Sequence, residues 1–179
     1  MKKIILLAGL PGVGKSTISQ KISQKIGAKI LDLDDFKRID VDPALVTKQI
    51  DPPDVRWGYY QKGLEYAFSL FETTNISTVI IDEVFHLKEL RKKLEDFCMQ
   101  KEIQIFWVEV KCSYELVEKR LKTQSREGHI LSTEEALKMY LLFKEIFEDF
   151  STNSQNHIVI KNENDVDLLV DEIFKKICI

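Results

Sequence analysis

Eight consecutive residues near the start of the chain, Gly9, Leu10, Pro11, Gly12, Val13, Gly14, Lys15 and Ser16, satisfy the spacing G-x-x-x-x-G-K-[ST] in full, and Thr17 follows directly. Glycines permit the backbone angles that turn successive N–H groups inward to form an anion nest. A helix opening directly behind the nest adds its positive N-terminal end. In that setting Lys15 neutralises the β- and γ-phosphates, Ser16 offers its hydroxyl to Mg²⁺, and Thr17 reaches the α-phosphate. These residues predict a nucleoside triphosphate site.

Transfer of a phosphoryl group also needs a base for the acceptor hydroxyl. The stretch "LDLDDFKR" ends an apolar run with Asp32, Asp34 and Asp35. The carboxyl edge of an open α/β sheet is where its ligands bind, so Asp34 is expected to accept the proton of the attacking hydroxyl. On an extended strand Asp32 would share its face, and Asp35 would cap the following helix. Asp82 and Glu83 follow "STVII" and resemble the acidic end of a Walker B strand; a solvated turn is the alternative. Asp82 is expected to contact Mg²⁺ together with Ser16, and Glu83 to face the acceptor.

Positive charge over the moving phosphoryl group often comes from a closing lid. In "EKRLKTQSREGHILS", Arg120 and Arg126 straddle a helix end and a polar loop. Residues 120–131 as a segment are read as that lid, although any one of Lys119, Lys122 or Arg126 taken singly is better read as an ordinary surface charge. A further segment, "DPPDVRWGYYQKGLEYAFSLFE", sets Trp57, Tyr60, Leu64, Phe68 and Phe71 at helical spacing. Its glycines, Gly58 and Gly63, each cost about 1 kcal/mol against alanine. They suggest close approach of a ligand or a neighbouring backbone to what is otherwise an aromatic core face. Lys37 and Arg56 are the cations expected to meet an acceptor, in a binding region spanning about residues 34–72.

These groups need a scaffold. Strand-like runs recur at Ile4–Ala8, Lys29–Leu33, Thr78–Ile81, Gln104–Val110 and His157–Ile160. Most are unbroken apolar or β-branched stretches, as expected of strands covered on both faces. Helical stripes lie between them: Ile18, Ile22 and Ile26, then Leu87, Leu90, Leu94 and Phe97. Ser132 with Glu135 forms a capping-box signature opening a helix to about Phe150. A last helix runs over about Val166 to Ile177. Strand–helix alternation implies right-handed crossovers and a parallel sheet with helices on both faces.

The chain of 179 residues is long enough for a single domain with its own core. Its net charge of −3 gives no general electrostatic attraction to nucleic acid or an anionic membrane. Cys98, Cys112 and Cys178 form no CxxC, and His86, His129 and His157 are scattered, so neither a disulfide framework nor a metal cluster is indicated. No run approaches the ~20 apolar residues of a membrane span, and the basic, apolar start feeds into the glycine motif rather than a cleavage site. A cytoplasmic protein is expected. A GTP switch would show D-x-x-G after the third strand and N-K-x-D after the fifth, where this chain has "VIIDEVF" and "KNEND".

"GLPGVGKST" followed by "DLDDF" resembles the small P-loop phosphotransferases that include chloramphenicol phosphotransferase, zeta toxins and the kinase domain of phage polynucleotide kinase. The stretch from Val79 to Cys112 is most similar to chloramphenicol phosphotransferase, whereas residues 36–75 do not match its acceptor region. The resemblance implies a three-layer, nucleoside-kinase-like P-loop fold with a five-stranded parallel sheet of order 2-3-1-4-5. It also implies Asp34 as general base, with ATP and Mg²⁺ as cofactors and a hydroxyl-bearing small molecule as acceptor. Phosphorylation of a polynucleotide 5′ end or a sugar nucleotide, and a non-catalytic nucleotide-binding regulator, are the alternatives; nucleic acid is not the favoured partner.

Overall fold

The structure is a computed structural model that describes residues 1–40, 50–123, 132–150, 156–163 and 165–177. Five strands, β1 (Lys3–Ala8), β2 (Lys29–Asp32), β3 (Thr78–Asp82), β4 (Gln104–Lys111) and β5 (His157–Lys161), form one sheet. All neighbours pair in parallel and the order is β2-β3-β1-β4-β5, as the resemblance implied. The helices are α1 (Lys15–Ile26), α2 (Leu33–Asp40), α3 (Pro53–Thr73), α4 (Lys88–Met99), α5 (Tyr114–Thr123), α6 (Thr133–Ile146) and α7 (Val166–Ile177).

The three central strands, β1, β3 and β4, are buried on both faces, and the pleat divides each between two cores, whereas the edge strand β5 buries Ile158 and Ile160 in one core and exposes Val159. Ile4, Leu6 and Ala8 of β1 join Val79 and Ile81, Ile105 and Trp107 against α3 and α4. Ile5 and Leu7 join Ile80, Phe106, Val108 and Val110 against α1, α5, α6 and α7. Ile18 and Ile22 supply the α1 face, while Ile26, at the end of the stripe, is exposed. On α4 the buried pair is Leu90 and Leu94, with Leu87 just before the helix and Phe97 half-buried.

Tyr60, Leu64, Phe68 and Phe71 of α3 do form an aromatic core face, with Trp57 partly buried beside it. The α3 glycines divide. A Cβ on Gly63 would lie 2.5 Å from Leu33 Cδ2, so the close approach there is that of α2; no described atom lies within 4 Å of a Cβ on Gly58.

The capping box at Ser132 forms: its hydroxyl accepts from the Glu135 amide at 3.3 Å, and the Glu135 carboxylate accepts from the Ser132 amide at 2.8 Å. The helix ends at Ile146, however, four residues before the expected Phe150. The backbone leaves the helix at Phe147 because the next groups are taken elsewhere. Glu148 N–H donates to the His86 carbonyl at 3.0 Å. Arg91 Nη2 donates to the carbonyls of Glu148 and Asp149 at 2.7 and 2.9 Å. No helix among the described residues is long and apolar enough to cross a membrane.

Candidate active site

The phosphate loop links β1 to α1, and its glycines adopt the expected backbone. Gly9, Gly12 and Gly14 have φ of 151°, 80° and 93°, a region open to glycine and strained for other residues. Sterics reinforce this at all three. A Cβ on Gly9 would lie 2.5 Å from the Val110 carbonyl oxygen, one on Gly12 2.9 Å from Val117 Cγ1, and one on Gly14 2.2 Å from Asn162 Nδ2. Gly14 is the N-cap of α1 and no side chain caps that end. The first-turn amides are therefore left for a ligand, and an anion suits them.

Lys15 Nζ donates to the carbonyls of Gly9 and Leu10 at 2.9 and 3.2 Å, curling over the loop, and lies 3.9 Å from Asp82 Oδ1. Ser16 Oγ donates to Asp82 Oδ2 at 2.7 Å. The last residue of β3 thus faces the first turn of α1, Asp82 meeting both Ser16 and Lys15. Burial pushes the Asp82 carboxyl above the usual carboxylate range, Lys15 and the Ser16 hydroxyl pull it back, and Glu83 and Asp32 add to the rise. A hydroxyl and a carboxylate side by side are hard oxygen donors, which fit Mg²⁺ carrying most of its own waters. No group of three or more His, Cys, Asp or Glu side chains suited to an all-protein metal cage exists among the described residues.

The second acidic edge departs from expectation. β2 stops at Asp32, and Asp34 is the second residue of α2 rather than part of an extended strand. The reason is local. Asp32 Oδ1 accepts from the Asp34 amide at 2.9 Å, the bond of an N-cap side chain, so the cap is Asp32 and not Asp35. Asp32 is in register with Asp82 across the β2–β3 pair, which puts the Asp34-bearing turn at the same end of the sheet as the phosphate loop.

Glu83 and Arg56 meet directly. Arg56 Nη1 donates to Glu83 Oε1 at 3.0 Å, and the same oxygen accepts from the Val84 amide at 2.9 Å. Arg56 is only 3% exposed, with its guanidinium 5.7 Å from the Phe143 ring of α6. Burial is the largest single influence on its guanidinium and opposes the charge, but Glu83, Tyr60 and Tyr59 together more than offset it and hold the pKa above the usual arginine value. Lys37 is likewise engaged, by Asp51 at 2.6 Å, and Tyr59 donates to that carboxylate at 3.4 Å.

On the nucleotide side Arg120, near the end of α5, points its guanidinium at the loop. Nη1 lies 3.5 Å from Cys112 Sγ and 3.7 Å from a Cβ built on Gly14. Arg126 and most of the segment 120–131 fall outside the described residues, as does the 41–49 part of the acceptor region.

Sequence reasoning missed two supports. Asn162, 2% exposed at the end of β5, donates from Nδ2 to the Val13 carbonyl at 2.8 Å and so fixes the middle of the phosphate loop. Its only sequence signal is its place after the last strand. Arg91 on α4 donates to the Phe85 carbonyl at 2.7 Å as well as to Glu148 and Asp149. It thereby holds Phe85, a bulky residue at φ 51°, in a conformation that costs of order 1 kcal/mol. Phe85 in turn packs on Tyr60 and Trp107, with ring centroids 5.2 Å away in both cases.

A glycine-turned phosphate loop, a lysine curled over it and a Ser–Asp pair at the next strand end define a P-loop nucleotide-binding domain of the kinase-like kind. Residues 4–143 match the family model described as an AAA domain, and the chain belongs to that family. It is similar to the shikimate kinase of Bacillus licheniformis, 30% identical over 106 residues, an alignment spanning 59% of each chain. The chain thus aligns with about three-fifths of the length of that curated relative. Three solved structures share the fold. A sugar kinase from Janibacter sp. HTCC2649 superposes with a TM-score of 0.75 at 17% identity, covering 100% of this chain and 96% of that one. A gluconokinase from Sinorhizobium meliloti 1021 gives 0.72 at 17% identity, covering 98% and 91%. The APS kinase CysC of Mycobacterium tuberculosis, solved with AMPPNP and APS, gives 0.67 at 16% identity, covering 99% and 98%. These relatives support a P-loop kinase and not its narrowing to chloramphenicol phosphotransferase, zeta toxin or polynucleotide kinase.

Proposed function

We propose that the protein is a small-molecule kinase that moves the γ-phosphoryl group of Mg·ATP to a hydroxyl of its acceptor. The observation that carries this reading is the Ser16–Asp82 hydrogen bond of 2.7 Å beside Lys15, at a sheet end that also bears the Asp34 turn. Resemblance to a shikimate kinase, and a fold shared with sugar, gluconate and APS kinases, agree with it.

In this reading the triphosphate lies in the nest from Gly9 to Thr17, with the first-turn amides of α1 and Lys15 meeting its β- and γ-phosphates. Ser16 and Asp82 hold Mg²⁺, which supplies charge neutralisation across the phosphates. Asp34 orients the acceptor hydroxyl and takes its proton as the new O–P bond forms; the bond from the γ-phosphorus to the bridging oxygen breaks, and ADP leaves with that oxygen. Arg120, beside Gly14, is placed to stabilise charge on the transferring group, with Arg126 as the lid candidate. Lys37, Arg56 and Glu83 belong to the acceptor side. A cytoplasmic setting fits this chemistry, since ATP is its donor.

The test is acceptor-dependent ADP release from Mg·ATP, with Asp34→Asn expected to lower turnover at least 100-fold while ATP affinity changes little. Unchanged turnover in that variant would remove Asp34 from the mechanism. A Lys15→Ala variant with unaltered ATP binding and turnover would remove the lysine likewise.

A further inference from the structure

Three polar side-chain atoms deep in the acceptor half lack a well-formed hydrogen bond among the described residues: Arg56 Nε, the Tyr60 hydroxyl and His86 Nδ1, although Tyr60 and Arg56 lie close enough to interact with each other. Their residues are 3%, 1% and 2% exposed. Arg56 and Tyr60 are one turn apart on α3, and Tyr60 packs on Phe85, the residue before His86. Phe143 of α6 covers both ends of the group, 4.9 Å from the His86 ring and 5.7 Å from the Arg56 guanidinium. Glu83, which holds Arg56, follows Asp82 directly, so the cluster lies one residue from the magnesium-binding end of β3. Buried polar atoms left without partners are costly, and such a concentration marks a place where a guest supplies the missing bonds.

The charge balance limits what that guest is. The Arg56 cation is already matched by Glu83 at 3.0 Å, and Lys37 by Asp51 at 2.6 Å. Arg91 spends its donors on three backbone carbonyls. The cations of this cluster are thus already engaged, and an anionic guest would have to displace one of these partners and would lie beside Glu83. The cluster offers a guanidinium N–H, a hydroxyl and a ring nitrogen, a mixture of donors and acceptors, next to an apolar ring. Hydroxyl groups, which both donate and accept, complement such a set.

Building on the kinase reading above, we propose that Arg56 Nε, the Tyr60 hydroxyl and His86 Nδ1 form an inner subsite that takes the non-reacting hydroxyls of the acceptor, and that the acceptor is an uncharged polyhydroxylated molecule rather than a carboxylic or phosphoric acid. Tyr60 and His86 then set acceptor specificity from the floor of the site, while Asp34 acts on the hydroxyl that reacts.

The experiment is ADP release from Mg·ATP by the full chain with paired acceptors: glucose against gluconate, ribose against ribonate, glycerol against glycerate, and myo-inositol. Mg·ATP binding is measured separately with a fluorescent ATP analogue. At least one uncharged polyol is expected to turn over, with kcat/KM at least tenfold above its acid partner. Tyr60→Phe is expected to raise KM for that polyol about tenfold, the loss of one hydrogen bond, with a much smaller effect on KM for ATP. Preference for the acids, or no turnover of any uncharged polyol by a protein that binds Mg·ATP, overturns the assignment. A Tyr60→Phe variant with unaltered acceptor KM also overturns it, since a trapped water would then be satisfying the same atoms. Failure to bind Mg·ATP at all would instead defeat the kinase reading beneath it.

Discussion

Acidification should unfold this protein through His86 in a way that one substitution isolates. The His86 side chain is 2% exposed, and its pKa is lowered from 6.5 to about 4, first by burial and then by the Arg56 and Arg91 cations. The charges acting on it are those two guanidiniums, from α3 and α4, and the ring packed on it is Phe143 of α6; the Glu83 carboxylate is held by Arg56. The folded protein therefore keeps His86 neutral while the unfolded chain protonates it below about pH 6.5. Between those two pKa values the unfolded state binds more protons, so stability falls as pH falls from about 6.5 towards 4. For a base with those pKa values the loss between pH 7.5 and pH 5 is about 2 kcal/mol, and it levels off near 3 kcal/mol below pH 4. In a domain of this size 2 kcal/mol corresponds to a Tm drop of roughly 4–8 °C. His157, paired with Glu109, also titrates in acid, so the quantity to measure is a difference. Urea unfolding of wild type and His86→Gln at pH 7.5, 6.5, 5.5 and 5.0 gives it: the stability gap between the two proteins should narrow by about 2 kcal/mol across the series. Parallel curves would refute the claim that His86 is held neutral by its surroundings.

Other outcomes follow from the same geometry. Asp82→Asn should raise the Mg²⁺ concentration needed for half-maximal nucleotide binding at least tenfold, read by titrating Mg²⁺ at fixed ATP analogue; an unshifted midpoint would detach Asp82 from the metal. Asn162→Ala should cost about 1–3 kcal/mol in urea unfolding, by leaving the Val13 carbonyl buried without its donor, and should weaken ATP binding by calorimetry. Arg91→Met keeps much of the side-chain volume but deletes three backbone hydrogen bonds, and should cost about 3 kcal/mol or more in the same unfolding measurement.

Most of the scaffold is readable from pattern alone because its three central strands are buried on both faces. Runs such as "KIILLA" and "IFWVEV" fit little else, and the intervening stripes have nowhere to pack but on the sheet. The phosphate loop is equally legible, since its glycines are required by backbone angles that no other residue adopts cheaply. The Asp32–Asp35 turn was misread because two local preferences compete there. Strand continuation and helix capping both suit an aspartate, and the outcome rests on which side chain reaches which amide. Asn162 and Arg91 escaped for a different reason: each acts on the backbone of a segment far away in sequence, and no spacing rule records such a partner. The end of α6 at Ile146 belongs to the same class, being set by Arg91 and the His86 carbonyl rather than by its own residues.

The contact between Gly63 and Leu33 has an evolutionary implication. With no side chain on α3 at that point, α2 seats a leucine where a methyl group would otherwise stand, so the two helices interlock like a tooth in a notch. The carboxylate candidate for proton abstraction rides on one of them, and the cation nearest Glu83 on the other. A new preference grafted from another kinase onto this chassis would therefore have to bring both helices as a cassette. Exchanging either alone would leave a collision or a hole at the notch, and would turn the base relative to whatever it is meant to serve.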